Sequence, residues 1–80
     1  MIYKYILSPV VPTQLDLPAN CQILSIQRQD ANICVWIDAD LESKPGQLTF
    51  TPAMTGQEAP EGCYVGTVQA NGGFVIHYYV

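Results

Sequence analysis

Along this chain apolar side chains recur every second residue rather than every third or fourth, and runs of alternation are separated by clusters of Pro, Gly, Asn and Asp. That period is the signature of strands with one covered face, so the pattern predicts about six of them. The first spans Ile2 to Leu7 and is stopped by Ser8-Pro-Val-Val-Pro12, because proline cannot donate to a ladder. Gln14 to Leu17 reads as a short extended piece before Pro18-Ala-Asn20. A second strand is expected from Cys21 to Gln29, and Asp30-Ala31-Asn32 turns it into a third, Ile33 to Ala39. There Ile33, Val35 and Ile37 share one face, and Cys34, Trp36 and Asp38 share the other. Both faces are largely apolar, as in a central strand or one covered by a partner. Gln47 to Thr51 is the fourth, and Pro52 to Gly62 is the longest irregular segment.

The last eighteen residues, Cys63 to Val80, carry the strongest local signal. Two β-rich runs flank Ala70-Asn71-Gly72-Gly73, and Asn-Gly favours a hairpin because both residues tolerate positive φ. No window supports an amphipathic helix. The expected fold is therefore all-β: residues 1–80 form a single small antiparallel sandwich or barrel of about six strands, with a C-terminal hairpin.

Composition narrows the classes of partner. Of the 80 residues, 49% are hydrophobic and only 12% are charged, half the usual charged share. So small a domain has more apolar side chains than one thin core hides, which points to a homo-oligomer. Three cations (Lys4, Arg28, Lys44) against seven carboxylates leave a net charge of −4, with no basic patch to displace counterions from nucleic acid. The acidic positions are too scattered for a DNA mimic. No apolar run reaches the length of a bilayer span, and the N-terminus alternates instead of offering a leader's continuous apolar stretch. Cys21, Cys34 and Cys63 form no Cys-x-x-Cys pair; reduced thiols in a cytoplasmic protein are the economical expectation, with no metal site.

Several positions invite chemistry, each beside a plainer reading. His77 sits between Ile76 and Tyr78, and catalysis would need a nucleophile or base beside it that no spacing reveals; a half-buried structural histidine is the alternative. Trp36 and Asp38 project together and would suit a stacked nucleobase and a hydroxyl or amine, or else packing and a solvated strand end. Tyr64, one of five tyrosines, would line a pocket or an oligomer seam. Thr55-Gly56-Gln57 and Gly72-Gly73 are glycine loops whose amides can cradle phosphate, although they lack the spacing of a P-loop and serve equally as turns. Arg28 would meet a phosphate or stay solvated.

Met1-Ile-Tyr-Lys-Tyr5, Leu17-Pro-Ala-Asn-Cys-Gln-Ile-Leu-Ser-Ile-Gln27, Val35-Trp36 and Gly66-Thr-Val-Gln-Ala-Asn-Gly-Gly-Phe74 followed by His77 resemble a family of small uncharacterised bacteriophage proteins. The likeness covers nearly the whole chain, except that Thr55-Gly56-Gln57 stands where the family has a Gly-Thr-Gly-like loop. The resemblance implies a phage accessory protein of the host bacterial cytoplasm without an assigned enzyme activity. By analogy with small phage proteins that sequester nucleotide signals of host immunity, the expected function is non-enzymatic binding of a nucleotide-derived small molecule, with no cofactor. Arg28, Trp36, Asp38, Thr55, Gly56, Tyr64 and His77 are its candidate ligand-binding residues. The alternative is a protein-interaction module that inhibits a host defence protein or assists phage assembly.

Overall fold

The computed structural model describes all residues, 1–80. Seven strands follow in order: β1 (Ile2–Leu7), β2 (Thr13–Pro18), β3 (Cys21–Gln29), β4 (Asn32–Ala39), β5 (Pro45–Met54), β6 (Tyr64–Gln69) and β7 (Val75–Tyr79). They make two antiparallel sheets, β1-β4-β3 and β2-β5-β7-β6, and the molecule is a sandwich rather than a closed barrel. The sheets come closest to joining where β3 and β6 lie alongside each other. Each of these strands carries a bulge, at Leu24 and at Val65, and a bulge adds local twist that curls an edge. The two strands meet at Gly66, where a Cβ would stand in ordinary contact, 3.9 Å from that of Ile26.

Alternation produces the core. Leu7, Ile33, Val35 and Ile37 from the first sheet face Leu17, Phe50, Val68, Ile76 and Tyr78 from the second, all essentially inaccessible. Tyr3, Tyr5, Leu15, Ile23, Ile26 and Leu48 flank them, half-buried. β4 is central in its sheet, one of the two arrangements that its apolar faces suggested.

Two departures from the sequence reading share one cause. The extended piece at Gln14 to Leu17 is a full strand, β2, paired with β5 from Thr13↔Phe50 to Pro18↔Pro45. β5 in turn outruns the expected Gln47 to Thr51 at both ends and contains Pro52. It uses one neighbour at a time: β2 along its first half, β7 from Thr51↔Tyr79 to Met54↔Ile76. Prolines at 18, 45 and 52 are tolerated because each sits at a strand end or where the other neighbour has stopped, so no ladder donor is missed.

The turns obey backbone sterics. Asp30 takes a φ of +55° as the first of two residues linking β3 to β4. The closing hairpin differs in detail from the expected turn: positive φ falls on Gly72 (80°) and Gly73 (79°), not on Asn71. Asn71–Gly73 form one 3-10 turn, closed by the Ala70 amide donating to the Phe74 carbonyl at 2.7 Å.

Candidate functional site

At the end of the sandwich where the β3–β4 and β6–β7 turns lie, the sheets part around an open cleft of about 750 Å³. That volume falls within the usual range of small-molecule sites. Its floor is Leu7, Ile33 and Ile76, and its rim includes Ile6, Val10 and Phe74, which are 58%, 73% and 56% exposed. Ser8, Thr13, Arg28, Asn32 and Asn71 are its polar lining residues. Arg28 reaches the cleft because it lies on the inward-facing side of β3, opposite Ile33, beyond the point where the core ends.

The charge environment of Arg28 is unusual for so acidic a chain. Its guanidinium donates to Asn71 Oδ1 at 3.1 Å, a neutral acceptor, and has no carboxylate partner. A guanidinium offers five donors, so most of its capacity faces the cleft and solvent. The one ion pair in the protein lies elsewhere, between the Met1 amino group and Asp38 at 3.0 Å.

A second group forms on the outer face of the β2-β5-β7-β6 sheet. His77 stands on the central strand β7, opposite Thr67 of β6 and Ala53 of β5. Both ring nitrogens are bonded to hydroxyls: Nδ1 to Thr67 Oγ1 and Nε2 to Thr55 Oγ1, each at 2.9 Å. Tyr64 Oη continues the chain to Thr67 Oγ1 at 2.5 Å, and its ring packs edge-on against Tyr79, centroids 5.6 Å apart. Thr55 and Gly56 occupy the tight turn after β5, held by Gln57, whose amide donates to the Met54 carbonyl and whose Oε1 accepts from the Met54 amide. Gly56 has a φ of +96°, a conformation that suits glycine. A shallow hollow of about 230 Å³ lies beside Thr55, Gly56, Ala59, His77 and Tyr79.

The seven candidate residues thus fall into three places. Thr55, Gly56, Tyr64 and His77 come together on one outer face, Arg28 lies in the end cleft, and Trp36 and Asp38 project from the outer face of the other sheet. Trp36 is half-buried between Lys4 and Ser25 in register, while Asp38 is engaged by the Met1 amino group. Lys4 crosses over β4 to donate to Gln29 Oε1 at 2.6 Å, which helps explain why Cys34 is only 1% exposed although it points outward. Asn32, Asn71, Phe74 and Thr67 escaped the sequence reading. Nothing local marks them, and only strand register and turn position bring them to these sites.

The cysteines lie apart, at the start of β3, within β4 and just before β6. Tyr78, fully buried, has its hydroxyl pushed up to about 12 by burial, and it donates to the Ser8 carbonyl at 3.0 Å. No helix is long and apolar enough to cross a membrane.

Fold and cleft together define a small two-sheet β-sandwich domain with an apolar end cleft headed by one uncompensated cation. Residues 1–80 match the model of the family described as a domain of unknown function, DUF7352, and the chain belongs to that family. No curated protein and no solved structure matches it.

Proposed function

We propose that this domain binds a small nucleotide-derived anion in the end cleft and retains it unaltered there. The observation that carries the reading is Arg28: a cation at the mouth of an apolar cleft, held by a neutral amide and paired with none of the seven carboxylates of a chain of net charge −4. An anionic ligand supplies the missing partner through charge-assisted hydrogen bonds. The apolar lining and Phe74 suit a flat ring, and Asn71, whose Oδ1 accepts from Arg28, keeps its amide NH2 for an acceptor on a base edge. With the resemblance to small phage proteins, this supports an accessory protein of the infected cell that sequesters a host immune signal.

The test is mass spectrometry of what the pure protein holds and releases intact. It is incubated with cyclic dinucleotides, cyclic oligonucleotides and ADP-ribose derivatives, desalted, then heat-denatured. One compound is expected at a fixed ratio per chain, bound about 10- to 100-fold more weakly by Arg28→Gln, the usual loss for a hydrogen bond to a charged group. No retained compound, or unchanged retention in the variant, refutes the assignment.

A second reading concerns the outer face of the β1-β4-β3 sheet. Ile2, Ile6 and Leu24 are 60%, 58% and 45% exposed around the half-buried Trp36, an apolar surface of the kind that partners cover. A second copy of this chain is the proposed occupant, and sedimentation equilibrium of the wild type against Ile6→Ser tests it.

A further inference from the structure

The outer face of the β2-β5-β7-β6 sheet holds a nucleophile, a base and an orienting group in one line. We infer that Thr55 is an acyl acceptor, activated by His77, and that the site takes small activated acyl esters or thioesters. This inference is independent of the end cleft.

Nucleophilic catalysis by a hydroxyl needs a base within hydrogen-bond reach, itself oriented by a third group. Thr55 Oγ1 lies 2.9 Å from His77 Nε2, and Thr67 Oγ1 lies 2.9 Å from Nδ1. A neutral imidazole has one donor and one acceptor. In the competent tautomer Nδ1–H donates to Thr67 Oγ1, Thr67 donates to Tyr64 Oη, and Nε2 accepts from Thr55. Either hydroxyl of the Tyr64–Thr67 pair can donate, so this chain accommodates the tautomer that leaves Nε2 free to act as base, and Thr67 and Tyr64, which fix the ring's orientation, are positioning residues.

The surroundings suit a small acyl group. The amide of Gly56, the residue after the nucleophile, makes no hydrogen bond within the chain, so it is free to donate to a developing oxyanion. A Cβ at Gly56 would meet nothing within 4 Å, so the approach is open. The adjoining hollow of about 230 Å³ has room for an acetyl-sized group.

The step balances. Thr55 Oγ1 bonds to the acyl carbon as the bond from that carbon to the leaving oxygen or sulfur breaks. The threonine proton passes to His77 Nε2 and then to the leaving group. Water, deprotonated by His77, releases the acid and returns the proton to Thr55.

The experiment uses p-nitrophenyl acetate with the full chain, after alkylation of the accessible cysteines, because Cys63 is exposed and would react on its own. One acetyl group on Thr55 is expected by peptide mass spectrometry, with nitrophenolate release. In Thr55→Val the adduct is absent and nitrophenolate release falls to the level of the blocked background, and in His77→Gln both fall by about 100-fold, the lower range for loss of a general base. Thr67→Val is expected to alter the pH profile while Thr55 remains the acceptor. Release that needs Thr55 but leaves no adduct also supports the inference, since hydrolysis then outruns acylation. Release unchanged in Thr55→Val, or acetyl only on lysines, the amino terminus or His77, overturns it. Thr55 is exposed in a turn, so circular dichroism separates loss of chemistry from loss of fold.

Discussion

β4 and β7 hold equivalent places, each bonded on both sides within its own sheet, yet they spend their outward positions differently. Inward they resemble one another: Ile33, Val35 and Ile37 on β4 meet Ile76 and Tyr78 on β7 across the core. Outward, β4 presents Trp36 among isoleucines, while β7 presents His77 with both nitrogens hydrogen-bonded. A central strand is fixed by its inward residues. Its outward residues are then free to differ, leaving an exposed apolar surface on one sheet and a hydrogen-bonded polar group on the other.

Substitutions along the two strands test that division. Ile37→Ala is expected to destabilise by about 2–5 kcal/mol in urea unfolding, the range for truncation in a packed core. A loss near zero would mean that β4 does not anchor the sandwich. The inward residue of β7 adds a pH dependence. The Tyr78 phenol is raised to about 12 in the folded protein from an ordinary value of 10, so folded chains hold this proton more tightly than unfolded ones. Its contribution is complete below pH 10 and is lost as pH rises from 10 through 12, at most about 2–3 kcal/mol. Stability curves of wild type and Tyr78→Phe are expected to differ in slope across that window, with only the wild type showing this component of alkaline loss.

Outward changes have smaller effects on folding. Trp36→Ser is expected to abolish self-association in sedimentation experiments while costing the monomer about 1 kcal/mol. Loss of stability without loss of association would place Trp36 with the inward residues. Smallest is Thr67→Val, expected within about 1 kcal/mol of wild type, because both hydrogen bonds of its hydroxyl are exposed. Its clearer readout is the 15N shift pattern of His77, which reports the tautomer.

Much of this division could be read from alternation. Ile33, Val35 and Ile37 opposite Cys34, Trp36 and Asp38 is a matter of parity, and parity survives folding. β2 was harder, because Thr13-Gln-Leu-Asp-Leu-Pro18 is short and bounded by prolines that only a one-sided neighbour tolerates. The candidate sites were less legible. Thr55, Tyr64 and His77 were singled out separately, but Thr67 joins them only through the pairing of β6 with β7. Arg28 was singled out as a cation, whereas the cleft behind it exists because two turns diverge, and no residue type encodes that distance.

The strand order also bears on how the chain folds as it emerges from the ribosome. Every strand of the β1-β4-β3 sheet has been made by Ala39, whereas β7, the hub of the other sheet, is the last of the seven strands synthesised. Until it inserts, β5 and β6 share no neighbour, and Phe50 and Leu48 face a half-built interior. Local hairpins β3–β4 and β6–β7 close quickly, whereas the pairings β1–β4, β2–β5 and β5–β7 join segments distant in sequence and form later, and the last of these must also wait for β7 to be made. In pulsed hydrogen exchange, amides of β4 should gain protection from β3 before those of β5 gain it from β7.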